Sequence, residues 1–451
     1  MQDLKSKKQI YIWHPLLTLK RYQRFFVFCG ALCVLNFALF NTTFAYESQF
    51  ADDAKKIKLR WRTETINLCL SNSLLQQSAA NIKSNSDVVG AVENSLKTWE
   101  AATNVKFVAT WCEKNSISPA DGRGDGISLI TLAATPENLA AFQGEFAEMP
   151  GRTRTFYDRR GNITEADIVL NPYQQFSTDG TFGTFDLEAA LTHEVGHLLG
   201  LDHSTVLAAT MYARQGRNGV FSLPAFAPRT LSEDDRAGIR SLYGAKPEAD
   251  NCCGAVSGTI VSVDNKQLDN WQVWSEEVTT GKLFAAVSTN NFGFWSMSGL
   301  PIGKYRLIAQ AEKFNAEILG EIKIEINKTK VLNRKILTHS NSFGTLLLGY
   351  NGQLSALAVP LRAGRWQTLF LGGEHSTPKH LESSMLSLSS PLLQISGEDM
   401  SRQDFDAEFS GASFNVNLSQ DAAPGEYNLR IQNHNGETIY LLGCLTVEPN
   451  Q

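Results

Sequence analysis

The sequence predicts a multidomain chain in which an α/β domain is followed by two all-β sandwich domains. Three observations predict this. The chain has 451 residues, and at roughly 100–200 residues per domain that length holds two to four domains. Up to about residue 185, strand-like runs alternate with helical patterns. Beyond residue 245, short runs rich in β-branched and aromatic residues alternate with Gly and Asn turns. Hydrophobic residues make up 43% and charged residues 19%, a globular balance that excludes wholesale disorder. The net charge of -5 leaves no basic excess to neutralise phosphates, which excludes general nucleic-acid binding.

The N-terminus has the order of a secretory signal. Basic residues end at Arg24, an apolar run of 16 residues covers Phe25–Phe40, and Thr43-Phe44-Ala45 offers small residues before a cut. The run is shorter than the ~20 residues that span a bilayer as a helix. Cleavage after Ala45 is therefore expected, and an uncleaved anchor is the alternative; a membrane is a partner only in that case. The first 45 residues hold six of the 41 basic residues and one of the 46 acidic ones, so the remainder carries -10. Either outcome places the body of the chain outside the cytoplasm, secreted, periplasmic or anchored facing outside. The expected partition is 1–45 for the signal, 46–248 for the α/β domain, and 252–338 and 340–451 for the sandwiches.

Leu59–Leu70 reads as a strand. Asp87 caps a helix whose apolar residues Val88, Val92, Leu96 and Trp99 recur at three- and four-residue steps. Val105–Trp111, Ile127–Ala133 and Ala166–Asn171 are further strands, separated by glycine-bearing turns at Asp121–Gly126 and Asp158–Asn162. Asp186 is the N-cap of a helix over Leu187–Leu199, and Gly200 ends it. Another helix starts at Ser232, with Glu233, Asp234 and Asp235 at the positive end of its dipole. Lys246–Asn251 is the expected linker. Strands then follow at Val256–Val263, Trp271–Trp274, Gly293–Met297, Tyr305–Ala309, Ile322–Ile326, Gly425–Ile431 and Ile439–Val447. Trp271, Trp274 and Trp295 are expected in the core rather than on a binding face. Five cysteines lie beyond the signal: Cys69, Cys112, Cys252, Cys253 and Cys444. An exported compartment permits disulfides, and Cys69–Cys112 is one of the pairings open to them.

The chemistry concentrates in His193-Glu194-Val195-Gly196-His197-Leu198-Leu199-Gly200-Leu201-Asp202-His203. Residues four apart on a helix share a face, so His193 and His197 have the spacing of two ligands on one zinc ion. Glu194 lies about 100° round the axis from His193 and can reach a water on the metal without being a ligand. Gly200 lets the chain turn so that His203 supplies a third nitrogen. Three protein ligands leave a fourth position open, as catalytic zinc requires. The bland alternative is a helix with incidental histidines. Of the eight histidines, the three of this motif are the only ones between Trp61 and Gly244, which argues against it.

This motif, followed by Met211 in Ala209-Thr210-Met211-Tyr212-Ala213, resembles the metzincin zinc proteases, and within them the matrixins. His203-Ser204, Met211-Tyr212, Ala166–Asn171 and Leu231–Gly244 carry the matrixin likeness, over roughly residues 58–245. The resemblance implies a twisted, mostly parallel five-stranded sheet with a cleft, an edge strand that pairs with extended protein or peptide substrates, and zinc endopeptidase activity. It implies zinc on His193, His197 and His203, Glu194 as general base and acid, and Met211 beneath the metal without ligating it. It also implies that Asp234 or Asp235 braces the Met211 turn; helix-start charge is the other reading. The specificity pocket would be shaped by Tyr212–Thr230. Two features depart from vertebrate-type members: no Cys-switch prodomain motif is present, and no His between Trp61 and Thr192 offers a structural zinc site. Asp121, Asp125, Asp158 and Asp179 sit in turns of the type that bind Ca2+, but solvated turns are favoured and no calcium ligand is assigned. The second domain resembles transthyretin-like sandwiches through Val256–Ile260, Gly293–Trp295 and Leu300–Tyr305, and the third is generically immunoglobulin-like. The rival function is a non-catalytic surface or adhesion protein with a zinc-bearing module.

Overall fold

The strand and helix patterns upstream of residue 185 close into one five-stranded sheet. The computed structural model describes residues 48–52, 57–75, 81–144, 148–223, 228–246, 252–374, 382, 385–396, 400–404 and 409–447. The expected signal at 1–45 and most of the linker lie outside the described residues. The sheet contains β1 (Thr65–Ser71), β2 (Lys106–Cys112), β3 (Ser128–Thr131), β4 (Gly151–Tyr157) and β5 (Ile163–Leu170), in the order β2-β1-β3-β5-β4. All pairs are parallel except β4–β5. A short parallel pair, β6 (Phe176–Ser177) and β7 (Phe185–Asp186), leads into the long helix.

The two faces of the sheet follow the two-residue period of a strand. Leu68, Leu70, Ile130, Ile168 and Leu170 face helices α1 (Val88–Ala102) and α3 (Leu187–Leu198), and share a core with Leu96, Trp99, Leu191 and Val195. Cys69, Leu129 and Val169 point to the other face, toward Ile117 and Phe142 beside α2 (Pro136–Ala140). Asp87 caps α1 through Gly90 N at 2.9 Å, and Asp186 caps α3 through Ala189 N at 2.9 Å. Ser232 and Asp235 form a reciprocal capping box at α4 (Glu233–Tyr243). Cys69 and Cys112 are bridged, with Cα atoms 5.7 Å apart. Cys252 and Cys253 form a second bridge and Cys444 is free and buried.

Three sequence expectations are corrected. The first strand begins at Thr65, not Leu59: Leu59 is buried and pairs instead with Gln49, while Arg60 donates to Gly161 O at 3.0 Å. The strand expected over Ile127–Ala133 shrinks to Ser128–Thr131. Strand β4 was not expected; its alternation of Arg152 and Arg154 with Thr153 and Thr155 is polar on both faces and gives no apolar period.

In the second half of the chain the described elements are strands. One sheet contains β9 (Gln272–Glu277), β10 (Leu283–Ser288), β12 (Gly303–Gln310) and β13 (Glu317–Ile324). Its companion contains β8 (Cys252–Ser262), β11 (Phe294–Pro301), β14 (Thr329–Val331) and β15 (Arg334–Ile336). Both contribute to one core, in which Trp271, Trp274 and Trp295 are buried as expected. A further sheet holds β16 (Leu346–Tyr350), β17 (Gln353–Ser355), β19 (Trp366–Glu374), β21 (Leu393–Ile395), β22 (Ser401–Asp404) and β23 (Phe409–Leu418). It faces β18 (Val359–Leu361), β20 (Leu386–Leu388), β24 (Gly425–Gln432) and β25 (Thr438–Val447). Val206, Ala209 and Ala237 of the first domain join the core of the second, and Phe221 joins that of the third. Among the described residues no helix is long and apolar enough to cross a membrane.

Candidate active site

The histidine constellation is assembled by α3 and the turn that follows it. Asp186, which caps α3, also pairs with Arg229, whose Nη2 lies 2.6 Å from its Oδ2. Gly200 has φ 97°, a conformation that a side chain resists, and a Cβ there would lie 2.4 Å from Leu59 O. The turn at Gly200 brings His203 back beside His197. The Nε2 atoms of His193 and His197 are 3.1 Å apart, and those of His197 and His203 are 3.2 Å apart. His193 Nδ1–H donates to Thr210 O at 2.7 Å, and His197 Nδ1–H donates to Leu201 O at 2.9 Å. These bonds place the proton on Nδ1 and leave both Nε2 lone pairs facing inward.

That arrangement fits a metal. Tetrahedral zinc–nitrogen bonds of about 2.0–2.1 Å place ligand nitrogens roughly 3.3 Å apart. Bare lone pairs at 3.1–3.2 Å repel one another unless a cation lies between them. Burial, then the neighbouring His197 and His203, hold His193 well below its ordinary pKa; burial and His197 lower His203 in the same way, against Asp202. The neutral form that binds metal is therefore the one present at neutral pH. The three ligand nitrogens form the group of metal-competent side chains found among the described residues.

Glu194 is buried beside this cluster. Its Oε2 accepts from Thr153 Oγ1 at 2.6 Å, and its carbonyl accepts from the same hydroxyl at 3.0 Å. Burial raises the Glu194 pKa, opposed by His197, Thr153 and Arg152. Gly151 opens β4 at this point, and a Cβ there would lie 2.9 Å from Glu194 Cγ. Thr153 and Gly151 were missed in the sequence because β4 itself was missed.

Met211 is 1% exposed and packs under the helix against Gly196. Asp235, not Asp234, braces its turn: Oδ2 accepts from Thr210 N at 2.8 Å and Oδ1 from Met211 N at 3.0 Å. Asp234 faces the other way and accepts from Ser204 Oγ and from Ala286 N, each at 2.7 Å. Gln49 donates through Nε2 to Leu201 O at 3.1 Å, the same carbonyl that orients His197.

Residues 60–244 match the family model described as Matrixin. Over this segment the chain resembles the matrixin family. The chain is similar to Metalloendoproteinase 1 of Glycine max, 48% identical over 172 residues, which cover 35% of this chain and 46% of that protein. It is also similar to stromelysin-1 of Equus caballus, 31% identical over 157 residues (35% of this chain, 28% of that protein). The hatching enzyme of Paracentrotus lividus is 48% identical over 140 residues (29% and 22%). The chain spans less than half the length of each of these relatives. The mostly parallel five-stranded sheet expected of a matrixin domain is the sheet described above.

Proposed function

We propose that this chain is an exported zinc endopeptidase that hydrolyses peptide bonds of protein substrates. The observation that carries the reading is the buried His193–His197–His203 cluster with Glu194 beside it. The matrixin match and the metalloendoproteinase relatives support the same reaction class.

In this reading His193, His197 and His203 hold zinc through Nε2. Zinc bound there supplies Lewis acidity, which polarises a carbonyl oxygen and lowers the pKa of a water. Glu194 takes the proton of the attacking water and hands it to the leaving amine. Thr153 holds Oε2, which fixes the carboxylate plane and leaves Oε1 for proton transfer. Met211 floors the cluster without ligating. Strand β4 is an edge of its sheet, so its outer side can pair with an extended substrate backbone, carrying the peptide past Glu194. The domain limits are 46–248, 252–338 and 340–451, with transthyretin-like and immunoglobulin-like sandwiches as the second and third. Export through residues 1–45 belongs to this proposal.

A purely structural metal module has no use for a carboxylate held at 2.6 Å by a dedicated hydroxyl beside the ligands. The test is Glu194→Gln in the full chain, with zinc content and cleavage of unstructured proteins measured together. Zinc should be retained at one per chain and the rate should fall by roughly 10²–10⁴-fold. A variant that cleaves as fast as the parent would remove Glu194 from its role.

A further inference from the structure

The helix that carries Glu194 ends inside the protein, and the carbonyls of a last helical turn need donors from outside the helix. Trp61 Nε1–H donates to Leu198 O at 2.9 Å, and Tyr243 Oη–H donates to Leu199 O at 2.7 Å. One residue upstream of the whole sheet supplies the rest. Gln49 donates from its backbone N–H to Gly200 O at 2.8 Å, and from its side-chain Nε2 to His197 O at 3.3 Å and Leu201 O at 3.1 Å. The two hydrogens of the amide nitrogen serve these two carbonyls.

The carbonyl of Leu201 has a second task. It also accepts from His197 Nδ1–H at 2.9 Å, so its two lone pairs are divided between the imidazole and Gln49. His193 is oriented differently. Its partner is Thr210 O, on a backbone that Asp235 of α4 braces through Thr210 N. The peptide used by His197 lies just past the Gly200 turn, where the chain has left the helix. Its N–H side is tied back, since Leu201 N donates to Gly196 O at 3.0 Å. Its carbonyl side meets Gln49.

Gln49 is itself held on a fixed backbone. Its carbonyl accepts from Leu59 N at 2.7 Å, and Ala51 N donates to Ile57 O at 2.8 Å. Ser48 is buried and bridges Leu201 in antiparallel sense. Ala51 packs against the core shared by the sheet, α1 and α3.

We propose that Gln49 is a positioning residue for the metal site: by holding Leu201 O it fixes the ring of His197, so that Nε2 faces His193 and His203. The inference rests on the zinc reading of that cluster. A group bonded to the free nitrogen of a ligating imidazole typically matters by about 10–100-fold in metal affinity. Gln49 acts one bond further out, through the carbonyl, which sets the expected effect at the lower end of that range.

The test uses the full chain with Gln49→Ala, Gln49→Glu and Trp61→Phe. Gln49→Glu keeps the length of the side chain and replaces its donors by acceptors. Trp61→Phe removes the neighbouring donor to Leu198 O, a carbonyl that orients no imidazole, and so measures a purely structural loss at the same helix end. Three quantities are read: zinc affinity by chelator competition, the visible absorption of the cobalt(II)-loaded chain, which reports ligand geometry, and the melting temperature of the metal-free chain. Both Gln49 variants should bind zinc roughly tenfold more weakly and show altered cobalt bands. Trp61→Phe should melt lower with the zinc affinity and cobalt bands of the parent. Parent zinc affinity and parent cobalt bands in the two Gln49 variants overturn the proposal. An equal loss of affinity in Trp61→Phe and Gln49→Ala also overturns it, because Gln49 would then only clamp the helix end. A parent chain that binds no zinc overturns the zinc reading instead, a result distinct from any difference between parent and variants.

Discussion

Gly196 is the position where the helix comes nearest to its floor, and Gly196→Ala is the sharpest perturbation of that contact. A Cβ at residue 196 would lie 2.3 Å from Met211 Sδ, 2.8 Å from Trp99 Cζ2 and 3.2 Å from Met211 Cε. Ordinary contacts need about 3.5–4 Å, so Met211 or the helix must retreat by more than ~1 Å. Neither neighbour has room: Met211 is 1% exposed and Trp99 0%, and Trp99 Nε1 is committed to Thr192 O at 2.8 Å. Overpacking of this kind costs roughly 1–3 kcal/mol. Replacing a helical Gly with Ala returns about 1 kcal/mol. The net loss is thus up to about 2 kcal/mol, and at ~2–4 °C per kcal/mol for a domain of this size the melting temperature falls by up to roughly 8 °C. Because His197 is the next residue, zinc affinity should fall with it. Calorimetry of metal-free protein and chelator competition measure the two effects. Adding Met211→Ala should recover part of the loss, since the pair is in contact. A Gly196→Ala variant more stable than the parent would refute the reasoning.

Three further outcomes are expected. His203→Ala removes one of the three proposed zinc ligands, so chelator competition should show a sharp fall in zinc affinity; unchanged zinc content would take His203 out of the site. Burial raises the Asp167 pKa from 3.8 to about 6, against the backbone N–H groups of Ser118 and Leu129. The folded chain therefore binds this proton more tightly than the unfolded chain, so the Asp167 contribution is complete below pH ~4 and is lost as pH rises to about 6, by up to roughly 3 kcal/mol. Urea unfolding of the metal-free parent against Asp167→Asn from pH 4 to 7 should show that difference, and parallel pH profiles would contradict it. Removing both Cys69 and Cys112, which lie 43 residues apart, should cost about 4 kcal/mol by loop entropy, read as a lower urea midpoint in non-reducing buffer.

Helices α1, α3 and α4 were legible because their signals are local. Asp87, Asp186 and Ser232 each accept the backbone bond that their residue type and position imply. The histidine spacing was legible for the same reason: a four-residue step on a helix and a glycine turn leave little freedom in where three imidazoles meet. Strand β4 was not legible. Its residues carry no apolar alternation, because Arg152, Thr153, Arg154 and Thr155 put polar side chains on both faces. With β4 went Thr153 and Gly151, whose contacts to Glu194 cross about 40 residues of sequence. The seating of Phe221 in the third core was hidden for a similar reason, since its partners Asn351 and Gln353 lie some 130 residues away. The Asn351-Gly352 pair was a readable hairpin signal, but nothing local connects a hairpin tip to a loop in another domain.

The adjacent carboxylates Asp234 and Asp235 explain how the domains come to share the site. Both are buried and both have raised pKa values, chiefly from desolvation, with their mutual repulsion adding to that of Asp234. Two such groups side by side are costly unless each is hydrogen-bonded. On a helix, consecutive side chains diverge by about 100°, and here the divergence sends them to different partners. Asp235 turns inward to Thr210 and Met211, fixing the carbonyl that orients His193. Asp234 turns outward to Ser204, next to His203, and to Ala286 on β10 of the second domain. Leu207 N, three residues further on, donates to Leu442 O of the third domain at 3.0 Å. The chain from His203 to Met211 is therefore held from below by α4 and from outside by both β domains. Cutting after Gly244 would strip the apolar cover from Val206, Ala209 and Ala237 and leave Asp234 facing water where Ala286 had been. The two β domains are thus part of the frame that holds the third histidine in place.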